Sequence, residues 1–131
     1  MVSKGHFDTL DADECQRLLR SGVVGRVGWQ SSDGPMVLPV NYAFEGGEIV
    51  FRTREDGRLA ELAEQTPVAF EVDDFDADAE NGWSVLVRGT AANQGAEESN
   101  PLPFPWAPGP RNLVIAITAT EFSGRAVSSP R

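Results

Sequence analysis

The side chains best suited to chemistry in this sequence are arginines. Residues 51–59 read Phe-Arg-Thr-Arg-Glu-Asp-Gly-Arg-Leu, which brings Arg52, Thr53 and Arg58 close together along the chain. A strand ending at Thr53, a turn, and a helix opening at residue 57 would make an anion site. The first turn of a helix exposes unpaired N–H groups and the positive end of the helix dipole. Arg58 in that turn opposes the dipole, and a bound phosphate would reverse the penalty. Arg52 offers a planar fork of donors and Thr53 a hydroxyl. The plainer alternative is a set of surface arginines paired with Glu55, Asp56 or Glu61. A second feature is Pro39, which lies inside a strand-like run. Proline cannot donate to a ladder, so the strand is an edge or is bulged there, and its free backbone groups suit a planar ligand. A simple edge strand explains the proline equally well.

Other reactive constellations are missing from the sequence. It has no CxxC, no spaced histidine pair and no GxSxG; His6 and Cys15 are the only residues of their kinds. Ser-His and Cys-His hydrolase chemistry is therefore not expected. Cys15 falls on the packing side of a helix and reads as a small core hydrophobe. Asp73 and Asp74 read as a solvated strand end. The acids between residues 73 and 80 lack the glycine and closing glutamate of a calcium loop, so no metal is expected there. Any redox or transfer chemistry would come from a cofactor.

The elements that must position these residues fit one domain over residues 1–131. A net charge of −9, with Lys4 as the only lysine, disfavours nucleic acid and anionic membranes as partners. No stretch approaches the ~20 apolar residues of a membrane span. Residues 1–9 are polar, have no signal core and are expected to be flexible. One cysteine excludes an internal disulfide, which suits a cytoplasmic location.

Asp11 and Glu14 have capping-box spacing, Leu18 and Leu19 form an apolar stripe, and Gly22 is a stop, which predicts a helix over 11–21. Alternation predicts strands over 23–30, 35–44 and 48–53, joined by turns at 31–34 and 45–47. Met36, Leu38, Val40 and Tyr42 share one face. A second helix is expected over 57–65 with Asp56 as its cap and Pro67 ending it. Strands then follow over 68–73, 83–88 and 113–117, and 122–127 offers a last short one. Six strands and two helices predict a mostly β fold, a closed or nearly closed barrel with its ends covered by the helices. The Pro-rich loop 94–112 contains Leu102, Phe104 and Trp106, which are costly to leave in water. The loop is expected to pack, for example on a partner chain.

The ordered motifs Gly-Arg-Val-Gly (25–28), Val-Leu-Pro-Val-Asn-Tyr (37–42), Ile-Val-Phe-Arg-Thr (49–53), Gly-Arg-Leu (57–59), Val-Ala-Phe-Glu-Val-Asp (68–73) and Gly-Trp-Ser-Val-Leu-Val-Arg-Gly (82–89) span most of the chain. Together they resemble the pyridoxamine-phosphate-oxidase-like split-barrel proteins over residues 10–125. The resemblance implies a six-stranded antiparallel split barrel, a homodimer, and FMN bound in clefts at the dimer interface. It implies a phosphate held by Arg52, Thr53 and Arg58, within a motif that includes Gly57 and Leu59. The flavin ring would lie along Val37, Leu38, Pro39 and Val40, mainly through backbone contacts. Ser84 would reach the cofactor, with Trp106 or Arg111 supplied by a partner chain. Many members carry lysine where Arg58 stands. The basic and histidine set that holds a substrate phosphate is not matched, so oxidation of pyridoxamine phosphate is not expected. The implied function is an FMN-dependent oxidoreductase acting on a small molecule. The alternatives are a deazaflavin-dependent reductase and a non-catalytic flavin-binding or sensor barrel. Haem is disfavoured because His6 is the only candidate ligand.

Overall fold

Alternation of apolar and polar residues builds eight strands in the computed structural model, which describes residues 5–94, 106 and 109–130. They are β1 (His6–Leu10), β2 (Val24–Ser31), β3 (Gly34–Asn41), β4 (Ala43–Glu45), β5 (Glu48–Thr53), β6 (Thr66–Asp76), β7 (Asn81–Asn93) and β8 (Leu113–Ser128). All pair antiparallel, in the order β3-β2-β6-β7-β8-β5-β4, with β1 on the C-terminal half of β8. Gly46 and Gly47, with φ of 59° and 80°, make the tight β4–β5 turn that only residues tolerant of positive φ can form.

The inward phase of each strand supplies one core. Val27, Ile49, Phe51, Phe70, Val85, Val87, Ile115 and Ile117 are wholly buried in it. Phe70 packs edge-on against Tyr42, with ring centroids 5.0 Å apart. The Phe70 ring also lies over Gly25, where an added Cβ would fall 2.2 Å from it. Burial pushes the Tyr42 phenol up to about 12. Its hydroxyl donates to the Leu19 carbonyl at 2.6 Å, which ties the sheet to the first helix.

That helix, α1 (Ala12–Ser21), opens with the Asp11/Glu14 capping box and buries Cys15 and Leu19. Burial, and then the nearby Asp11 and Glu14, push the Cys15 thiol up, so it remains an inert core group. Helix α1 covers the end of the sheet where β2 begins. A 3-10 helix (Arg58–Ala63) covers the opposite end, where Ser32 bonds to Glu61, and buries Leu62 beneath it.

The class is the expected one, a mostly β antiparallel split barrel, with several differences in detail. There are eight strands among the described residues rather than six, and the sheet is not closed, with β3 and β4 at its edges. The run 35–44 breaks at Tyr42 into two strands, because the chain changes partner there. The sixth strand and the short one after it are a single 16-residue strand. Residues 6–9 of the segment expected to be flexible are held in β1 by pairing with residues 125–128. The helix expected over 57–65 is a six-residue 3-10 turn capped by Gly57, not by Asp56. Leu102 and Phe104 lie outside the described residues.

Candidate functional site

The site begins where the edge strand changes partner. β3 pairs with β2 as far as Val24 opposite Asn41. Tyr42 still donates its N–H to the Val23 carbonyl at 3.1 Å, and from Ala43 onward the chain pairs instead with β5, opposite Val50. Beyond that fork the outer edge of β3 and the β5 edge at Phe51, Arg52 and Thr53 have no strand partner among the described residues. A split opens between them, with its apex at residues 41–43. Thr53 lies three residues, about 10 Å, along β5 from the Val50 level. Met36, Leu38 and Val40 turn inward, while Val37 and Pro39 face out, Val37 at 64% exposed. Pro39 thus sits on an edge strand, where its missing N–H is harmless.

The candidate phosphate residues follow one another at the open end of this split, in unequal states. Thr53 is buried and Arg52 half-buried, and neither side chain has a hydrogen-bond or ion-pair partner among the described residues. Arg58 is already engaged. Its Nη2 lies 2.6 Å from Asp33 Oδ2 and its Nη1 3.2 Å from Glu61 Oε2. Glu61 in turn accepts from the Trp29 indole N–H and from the Ser32 N–H, both at 3.2 Å, and from the Ser32 hydroxyl at 2.9 Å. The Trp29 hydrogen bond, foremost among these contacts, holds the Glu61 carboxyl below its usual range. This network ties the β2–β3 turn to the 3-10 helix. Arg54 pairs with Asp56 at 3.0 Å. Neighbouring acids therefore account for Arg54 and Arg58 but not for Arg52. A six-residue 3-10 turn contributes no helix-terminal anion site, so the cluster rests on its side chains. Gly57 is half-buried in the approach to the turn, and Leu59 packs against the core.

The remaining candidates are spread more widely. Arg111 precedes β8, half-buried, with its Nε buried and unpartnered. Trp106 donates its backbone N–H to Asn41 Oδ1 at 2.9 Å, while its indole is exposed. Ser84 lies apart, on the outer face of β7, in a shallow trough with Phe7, Glu71 and Arg125. Within one chain it does not meet Arg52 or Thr53. Glu71, in the same trough, is pushed up to about 7, chiefly by burial and then by Asp73, against the pull of Arg26 at 3.1 Å. Sequence reasoning passed over Asn41. The available signal was a polar residue in phase with the outward-facing Val37 and Pro39.

A curled antiparallel sheet whose edge strand forks between two neighbours, leaving a split between β3 and β5, defines a split β-barrel protein. The chain belongs to the pyridoxamine 5′-phosphate oxidase family, whose pattern it matches over residues 11–126. An uncharacterized protein of Mycobacterium tuberculosis is 33% identical over 132 residues, covering 93% of this chain and 87% of that protein. The solved structure of an FAD-binding protein from Mycobacterium smegmatis is 30% identical, with a TM-score of 0.74 over 92% of this chain and 98% of that one. An FAD-binding protein from Mesorhizobium loti superposes with a TM-score of 0.79 over 95% of this chain and 99% of its own. At 21% identity, that second likeness speaks for the fold alone.

Proposed function

We propose that this chain binds a flavin nucleotide in the split between β3 and β5, and that the bound flavin serves as an oxidoreductase centre for a small organic molecule. The observation that carries this reading is the pair Arg52 and Thr53. In a protein of net charge −9, a half-buried guanidinium and an adjacent buried threonine without partners among the described residues suit an anionic ligand. Arg52 would fork a phosphate and Thr53 would donate its hydroxyl to the same group. Arg58 adds charge to that phosphate only by giving up Asp33. The edge of β3 at Val37, Leu38, Pro39 and Val40, unpaired among the described residues, would offer backbone groups to the flavin ring, and Gly57 and Leu59 would lie beside the phosphate. A bound flavin accepts and returns a hydride or electrons, so no side chain of this protein need supply the reactive atom.

FMN is the simplest fit. FAD, named for similar structures, carries the same ring and the same first phosphate, and a deazaflavin cofactor remains the alternative. Ser84, Trp106 and Arg111 would complete the site from a second copy of the chain. Glu71 borders both the trough with Phe7, Phe75 and Ser84 and a second concavity with Gly28, Val37 and Ala69, and the exposed Phe7, Val37 and Phe75 suit such a contact. A reducing cytoplasm suits the one buried cysteine.

The test starts from purified protein. Its visible absorbance is recorded, any released small molecule is identified by mass spectrometry, and FMN and FAD are titrated separately. Protein that is colourless and binds neither added flavin overturns the reading. Arg52→Ala should weaken flavin binding about tenfold or more, since a hydrogen bond to a charged group contributes roughly 1.5–3 kcal/mol. It should do so without lowering the melting temperature, because Arg52 has no hydrogen-bond or ion-pair partner among the described residues to lose.

A further inference from the structure

We propose that Asn41 is a ligand-recognition residue whose side-chain NH2 donates to a carbonyl oxygen on the planar ring system held in the split. The inference rests on the flavin reading and extends it to a residue outside the arginine cluster.

Three observations meet at Asn41. First, its Nδ2 is buried and has no hydrogen-bond partner among the described residues, a state that native structures avoid. Its Oδ1 is committed, accepting the Trp106 N–H at 2.9 Å. Because an N–H donor must meet the amide oxygen, the orientation of the amide is fixed and the group left over is the NH2. Second, Asn41 ends β3 at the apex of the split, in the same outward phase as Val37 and Pro39. It therefore stands at the far end of the free edge from the open mouth. Third, the other buried, unpartnered side-chain atom among the described residues is Arg111 Nε. It lies on the same chain segment as Trp106, two residues before the Leu113 that pairs with Thr53. The orphan donors thus belong to the borders of one split.

A flavin or deazaflavin ring carries a pyrimidine edge with two carbonyls, which an amide NH2 complements. Electron uptake places negative charge on that edge. A donor there stabilises the reduced form and raises the midpoint potential.

The test compares wild-type protein with Asn41→Asp and Asn41→Leu. Asn41→Asp keeps an oxygen for the Trp106 N–H, removes the donor and, at pH 8, sets a negative charge in its place. Asn41→Leu removes both. The readouts are FMN and FAD affinity by fluorescence titration, the visible bands of the bound flavin and its midpoint potential, with thermal melts to verify folding. The expected result for Asn41→Asp at pH 8 is at least tenfold weaker binding, shifted bands and a more negative potential. If Asn41→Asp matches wild type in all three while Asn41→Leu weakens binding, the residue only anchors Trp106 and the inference is overturned. It is equally overturned if both variants match wild type. Wild-type protein that binds no flavin overturns the underlying reading, and this inference with it.

Discussion

At the scale of single residues, the cations of the site separate by the company they keep. Arg58 has Asp33 and Glu61 within hydrogen-bond reach, and Arg54 has Asp56. Arg52 has neither, although sequence spacing treats all of these arginines alike. The difference is strand phase and depth: Arg52 lies on β5 opposite Val114, away from the acidic turn that follows it. Residue-scale electrostatics also make a pH prediction at Glu71. Burial pushes its carboxyl up from about 4.5 to about 7, so the fold favours the protonated form. The benefit is fully present below pH 4.5 and is lost as pH rises through about 7. Chemical denaturation at a series of pH values should therefore show this contribution declining across that window, and Glu71→Gln should flatten the decline. A profile for Glu71→Gln that matches wild type would count against it.

At the scale of elements, the sequence was legible where spacing maps directly onto a local hydrogen bond or a core phase. Asp11 and Glu14 announced α1 because a capping box is a contact between residues three apart. Met36, Leu38 and Val40 announced the inner face of β3 because side chains alternate in a strand. The fork at Tyr42 was not legible, because apolar alternation runs unbroken through it while the pairing partner changes. Nor was the length of β8. Gly124, where an added Cβ would fall 2.8 Å from Cys15 Sγ, and its polar neighbours conceal a continuous strand. Asn41 escaped for a related reason: its isolation is a property of packing, not of spacing. Packing at β2 yields a prediction at this scale. Gly25→Ala would set a Cβ against the Phe70 ring, and overpacking of this kind costs roughly 1–3 kcal/mol. A thermal melt should show the loss. An unchanged midpoint would mean that the ring swings aside freely.

At the scale of the whole molecule, the split and the outer trough lie on different parts of one sheet, and Ser84 is separated from Arg52 within the chain. If the flavin site draws on both regions, two copies must meet. Sedimentation at micromolar concentration should then give a dimer, stabilised further by added FMN. A strict monomer that still binds FMN tightly would assign the whole site to one chain.

The forked edge strand also governs which lengths of chain the fold accepts. Residues 34–41 and 43–45 belong to ladders with different partners, and Tyr42 is the single residue between them. Side chains alternate faces with a period of two, so one residue inserted at this joint would leave β3 in phase and reverse all of β4. Phe44, buried against Phe122 with ring centroids 6.0 Å apart, would turn to solvent, and Glu45 would turn inward. The joint therefore acts like a reading frame: a residue added or removed there reverses the facing of everything downstream in the strand.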